Sequence, residues 1–396
     1  MLFARRSALV LAIASFALSF ATSCKKPGGT APGTKASGGP AAPEAKELVV
    51  GHFASMTGNT AHFGQDTDKA VRLAADEANA AGGVLKKPVR IVTLDDRGDS
   101  AEASNAVSRL IDVEKVNAIL GEVSSSLSLA GGRVAQRRKV VMVSPSSTNP
   151  KVTEVGDYIF RVCFLDPFQG RVMATFARNT LKMDKVAILK DVKNDYSIGL
   201  ADAFKTSFTA LGGTIVVEQS YSAGDTDFSA QLTAIKGSAA QALYVPGYYA
   251  EVGAIARTKD RLGLKIPMMG GDGWDAPDLF KIGGAALDGS YFSNHFAPDA
   301  ATPKAQKFVA DFKKKYGIEP TGLGALGYDA AAVLFAAIER AGSLDSDKIR
   351  VAMGQTKDFE GVSGKITIDS KRDAQKSAVV IKIEGGKGKY ETTVEP

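Results

Sequence analysis

From Leu48 onward, short apolar runs alternate with longer stretches in which apolar residues recur every three or four positions. LVVGHFASM predicts a strand, and DTDKAVRLAADEANAAGG predicts a helix closed by Gly82 and Gly83. PVRIVTL is the next predicted strand, followed by a helix over SAEASNAVSRLIDVEK with Ser100 as its N-cap. VNAILGEV then predicts a third strand, LSLAGGRVAQRR a helix, and KVVMVSP a fourth strand. These runs are rich in Val and Ile and continuous rather than alternating, which suits a parallel sheet covered by helices on both faces.

The pattern then restarts. KVAILKD, TIVVEQSY, AQALYVPG and IPMMGGDG predict strands, and SIGLADAFKTSFTALGG, FSAQLTAIKG and EVGAIARTKDRLG predict the helices between them. GSYFSNHF reads as a crossing segment, PKAQKFVADFKKKYG and GYDAAAVLFAAIERAG as helices, and GKITID and AVVIKIEGGKGKYETT as closing strands. Two α/β lobes with a cleft between them follow from this order, and ligands of such sheets sit beyond the carboxyl ends of the strands.

Composition refines the picture mainly at the N-terminus. The 396 residues are 44% hydrophobic and 23% charged, which is ordinary for a globular chain long enough for two cores. The net charge of +6 includes Arg5, Arg6, Lys25 and Lys26, and no basic stripe with interleaved aromatics follows, which excludes nucleic acid as the expected partner. MLFARR and the apolar SALVLAIASFALSFA form a signal peptide over residues 1–23. The small residues before Cys24 resemble a bacterial lipobox, with Ala21 where leucine is usual; this implies a lipidated Cys24, the alternative being plain cleavage near Ala21. Residues 24–46, rich in Gly, Pro and Ala, read as a flexible tether. Cys163, within YIFRVCFL, reads as a buried small hydrophobe.

No catalytic constellation stands out. His52, His62 and His295 have no partner at metal-ligand spacing and read as surface or loop residues; no HExxH, GxSxG or Walker sequence occurs. TGLGALG (Gly322, Gly324, Gly327) fits GxGxxG but follows a helix and a turn instead of a strand, so it reads as the start of a helix. The Arg97–Asp99 RGD reads as polar loop residues. Polar loops at successive strand ends remain. Ser124, Ser125 and Ser126 follow the third strand, and SPSSTNP, with Ser146 and Thr148, follows the fourth. In the second unit stand Tyr196, Tyr248, Tyr249 and Asp272. Amides at a helix N-terminus suit a carboxylate, and an opposing acid with aromatics suits an ammonium group, so a zwitterion would satisfy both sets.

MTGNTAHFG, ANAAGGV, LDDRGDS, GEVSSS, VSPSSTNP, DYIFRVC, KNDYSIG, DTDFSAQL, PGYYAEVG and GGDGWDAPDL occur in the order seen in the branched-chain amino-acid (Leu/Ile/Val)-binding family of type I periplasmic solute-binding proteins, which the body resembles throughout. The resemblance implies two doubly wound lobes joined by a hinge, 47–165 with 295–377 and 166–294 with 378–396. It implies a monomeric, non-enzymatic subunit of an ABC importer, without cofactor or metal, in the periplasm or at the cell surface, that delivers an amino acid to a membrane permease. Ser125 and Thr148 would hold the ligand carboxylate, and the Ser146 carbonyl, Thr148 hydroxyl and Asp272 its ammonium. Tyr196 and Tyr248 would line the second lobe. Phe63 stands where leucine binders have tyrosine, Asp272 where they have glutamate, and Gly98 and Ser124 where some have a disulfide. Ser126 would add an amide or nothing, and Trp274 either contacts ligand or packs. An amide, urea or aromatic-acid binder, or a ligand sensor, are the alternatives.

Overall fold

The four strands predicted before residue 145 share one sheet. In the computed structural model, which describes residues 46–297 and 302–396, β1 (Leu48–Ala54), β2 (Val89–Asp95), β3 (Ala118–Leu120) and β4 (Met142–Ser144) run parallel in the order β2-β1-β3-β4. β5 (Ile159–Arg161), from the apolar run to which the pattern assigns no element, extends that sheet beside β4. The expected signal segment 1–23, Cys24 and the expected tether 24–46, up to residue 45, lie outside the described residues.

Every residue of β1 is buried, because helices cover both faces. Leu48 and Val50 pack with α1 (Ala61–Ala80), while Val49 and Phe53 pack with α2 (Ser100–Asp112) and α3 (Ser125–Arg138). α2 is capped by Asp99, whose carboxylate accepts from the amides of Ala101 and Glu102 at 2.8 and 3.0 Å; Ser100, the predicted cap, is already the first helical residue. Asp reaches two orphan amides that a shorter serine one residue later cannot. The short α4 (Lys151–Glu154) precedes β5.

The chain then leaves for a second sheet through α5 (Asp166–Thr175). β6 (Lys185–Asp191), α6 (Asp195–Ala210), β7 (Thr214–Tyr221), α7 (Ser229–Lys236), β8 (Ala242–Tyr244), α8 (Tyr249–Arg261), β9 (Met268–Gly270), α9 (Pro277–Gly283) and β10 (Tyr291–Asn294) build it. β10 lies inside the predicted crossing segment and is an interior strand, parallel to β9, with Phe292 in the core.

α10 (Pro303–Tyr316), α11 (Gly322–Ala341) and α12 (Ser346–Gly354) follow, and α11 joins the first lobe's core against α1. The TGLGALG stretch is the N-terminus of α11. Its glycines allow close contact with α1, since a Cβ on Gly327 would stand 2.7 Å from Thr67 Cγ2. α11 is long and apolar enough to cross a membrane, yet most of it is buried in this core. GKITID forms β12 (Gly364–Ile368), which pairs with β11 (Phe359–Gly361) and β13 (Ala374–Gln375) in a small separate sheet on the same core, not in either large one. Finally β14 (Ala378–Glu384) and β15 (Lys387–Val394) turn at Gly385–Gly386 and add antiparallel to β10, giving the order β15-β14-β10-β9-β8-β6-β7. The chain thus passes between the lobes after β5, after β10 and after β13.

Candidate functional site

The loops beyond β3 and β4 face those beyond β6, β8 and β9. The first is built on Glu122, a fully buried side chain. It accepts from the Ser55 amide and hydroxyl at 2.9 and 2.8 Å and from the Ser124 amide, while its carbonyl accepts from the hydroxyls of Ser128 and Ser144. Burial pushes the Glu122 carboxyl above its usual range, and the nearby Asp96 pushes it further. This anchor turns Ser125 into the first residue of α3, two residues earlier than the pattern predicts.

The second loop is held from beneath by Arg161. Its buried guanidinium pairs with Asp373 at 2.7 Å and donates to the carbonyls of Ser147 and Pro150. Above it, the Asn149 amide donates to Ser125 Oγ (3.3 Å), and the Thr148 carbonyl accepts from the Asp166 amide (2.9 Å).

Opposite stands Asp272, in the turn after β9. One carboxylate oxygen accepts from Gln169 Nε2 at 3.1 Å, and the other lies 3.0 Å from His295 Nε2. Gln169 Nε2 also lies 3.0 Å from Asp166 Oδ1 and 3.4 Å from Thr148 Oγ1, so one amide links the acid of one lobe to the hydroxyl of the other. His295 stacks on Phe164 with centroids 3.7 Å apart; burial lowers its pKa, and Asp272 opposes the shift. Burial pushes Asp166 up to about 7, with the charge of Asp272 adding to the effect against hydrogen bonds from Thr148 and Gln169.

The aromatic wall is continuous. Tyr196 and Tyr248 stack at 5.3 Å, and Phe63 of α1 meets Tyr248 and Tyr249 edge-on at 5.4 and 5.0 Å. The Tyr196 hydroxyl accepts from the Gly273 amide (3.1 Å). Among the described residues, Ser146 Oγ, the Tyr248 hydroxyl, Asp166 Oδ2 and His295 Nδ1 are buried without a protein partner here. Buried polar atoms without a partner are uncommon, and each calls for an explanation. Beyond Ser124, Ser126 and Tyr248 a cavity of about 400 Å³ opens outward between the lobes, with Arg97 and Lys193 among its lining residues.

Thr148, Asp272, Tyr196, Tyr248 and Phe63 are therefore linked by these contacts, Ser125 joins them through Asn149, and Ser146 lies in the same loop with its hydroxyl buried. Of the two readings of Trp274, packing holds. Trp274 is fully buried in the second lobe's core, its indole N–H donating to the Val245 carbonyl (2.9 Å), which leaves no polar atom for a ligand. The Ser126 hydroxyl is engaged by Asp195 of the other lobe; the expectation for Ser126 concerns its amide, which this contact does not touch. The histidines also differ from the surface reading: His52 and His295 are buried against Asp68 and Asp272, partners 16 and 23 residues away that no local spacing reveals. Sequence reasoning missed Asp166, Gln169, Arg161 and Glu122 for the same reason; the one local hint was an acid inside the apolar run before the serines. No three metal-ligating side chains cluster among the described residues.

Comparison with known proteins fits this geometry. Residues 47–387 match the family described as periplasmic binding protein. A Leu/Ile/Val-binding protein of Rhizobium johnstonii is 32% identical over 344 residues, covering 86% of this chain and 93% of that protein. The leucine-binding protein LivK of Thermotoga maritima superposes with a TM-score of 0.85 at 44% identity, covering 88% of this chain and 99% of that one. LivJ of Streptococcus pneumoniae, solved with isoleucine, gives 0.84 at 33%, covering 89% and 100%.

Proposed function

The chain belongs to the periplasmic binding protein family, and from that premise we propose that it captures a branched-chain or other aliphatic amino acid between its lobes and delivers it to an ABC permease. In this reading the lobes are 47–165 with 295–377 and 166–294 with 378–396, the three crossings form the hinge, and the lipidated Cys24 tethers the protein at the membrane in the periplasm or on the cell surface. It is a binder, not an enzyme.

The observation that carries the proposal is Asp272, held by Gln169 and His295 within one amide's reach of Thr148. A buried carboxylate invites a cation, and the start of α3 invites an anion. Ser125 and Thr148 would take the ligand carboxylate; the Ser146 carbonyl, Thr148 hydroxyl and Asp272 its ammonium; Tyr196, Tyr248 and Phe63 would enclose the side chain. Ligand contacts made only with the lobes closed shift the hinge equilibrium toward closure.

One other reading has a specific basis. A solute-binding protein of Rhodopseudomonas palustris at 26% identity and a TM-score of 0.80 was solved with 3,4-dihydroxybenzoic acid. An aromatic acid has no ammonium for Asp272 to meet, so the amino-acid reading is preferred. Titration calorimetry decides: leucine, isoleucine or valine should bind at micromolar affinity or better and benzoates not at all, with Asp272→Asn weakening the amino acid by about 30-fold or more. Benzoate binding alone, or an unchanged affinity in the variant, would overturn the zwitterion site.

A further inference from the structure

We propose that Asp195 is the centre of a clasp that locks the closed lobes without touching the ligand, so that it sets how long a captured solute stays. Asp195 lies in the first turn of α6, and three residues of the other lobe converge on it. Its amide donates to Ser126 Oγ at 3.0 Å, and Ser126 donates back to its carboxylate at 3.0 Å. Asn149 Nδ2 donates to its carbonyl at 2.7 Å, and Lys151 Nζ stands 3.5 Å from its second carboxylate oxygen.

The placement is what makes this a positioning device. Ser126 follows Ser125, Asn149 follows Thr148 and Asp195 precedes Tyr196. Apart from Lys151, each clasp residue is therefore the chain neighbour of a residue assigned to ligand, and a clasp formed in register brings all three ligand groups to their closed positions. The first turns of α3 and α6 meet here, and their partial positive ends repel; the Asp195 carboxylate between them offsets that repulsion. α6 also leaves room for the reach. A Cβ on Gly199, one turn on, would stand 2.6 Å from Asn149 Nδ2.

The inference rests on the amino-acid-capture reading, and the test separates the two. In the full-length protein, with L-leucine and L-isoleucine as probes, Asp195→Ala should raise the dissociation rate of both about three- to tenfold and by the same factor, because charge-assisted hydrogen bonds are lost while no ligand contact changes. Ser126→Ala should do the same alone, yet add less than twofold when Asp195 is already alanine. Gly199→Ala, which displaces Asn149, should also speed release. If the Ser126 and Asp195 effects multiply, or if the factor differs between the two ligands, Ser126 or Asp195 meets the ligand and the clasp is overturned. If the unsubstituted protein binds no amino acid, the capture reading fails by itself, and small-angle scattering of the protein without amino acid still decides: the clasp requires a larger radius for Asp195→Ala, and an equal radius overturns it.

Discussion

Asp166 was invisible as a functional residue because it opens a helix beside a proline, where an acid reads as an ordinary first-turn residue. In the fold it is buried beside Asp272, and its carboxyl is pushed up from 3.8 to about 7. The sign of the consequence follows. Below pH 3.8 both folded and unfolded chains hold the proton; between about 4 and 7 the unfolded chain releases it while the folded chain keeps it, so the stabilisation drains away as pH rises through that window. Asp166→Asn, which cannot ionise, removes this slope. The melting temperature of the variant minus that of the parent should therefore climb by several degrees between pH 5 and pH 8. A difference that stays flat would mean Asp166 ionises in the fold as freely as in the open chain. Ser125, Thr148 and Asp272 were legible because they sit at strand ends flanked by turn residues, whereas Gln169 and His295 take their meaning from partners a hundred or more and 23 residues away.

At the scale of elements, periodicity recovered most strands and helices, since burial on two faces leaves a continuous apolar run. It did not reveal partners. GSYFSNHF has strand composition, but nothing local says that β9 and β14 flank it, and GKITID has the same texture as β14 while joining a different sheet. Close approach between elements was hidden too, and α1 shows it best. Gly64 lies in its first turns, where a Cβ would fall 2.3 Å from the Ser55 carbonyl oxygen and 2.6 Å from its carbon. Ser55 cannot yield, because Glu122 holds its amide and hydroxyl. Helix propensity alone would make Gly64→Ala stabilising by up to about 1 kcal/mol. The packing reverses the sign, and we expect a loss of about 1–3 kcal/mol in urea unfolding, with a matching fall in midpoint. A midpoint at or above the parent's would show that α1 slides past the Ser55 loop, and that Glu122 does not fix the floor of the site.

For the whole molecule, the question is whether two cores behave as one. Each sheet has its own apolar clusters, yet Phe63, Val123 and Leu323 of the first lobe join residues of the second in a shared cluster. Two of the crossings carry the buried Cys163 and Lys376, whose pKa values are driven by burial up to about 12 and down to about 8. Crossings this dry couple the lobes through packing as well as through the cleft. A ligand that bridges both lobes must stabilise both, whereas one held by a single lobe stabilises only that lobe. At a hundredfold excess over its dissociation constant the gain is about 2.7 kcal/mol. Scanning calorimetry with increasing leucine should accordingly move the entire heat-absorption peak upward by a few degrees and keep it single. A peak that splits, with one component fixed while the other rises, would assign the ligand to one lobe and remove closure from the capture mechanism.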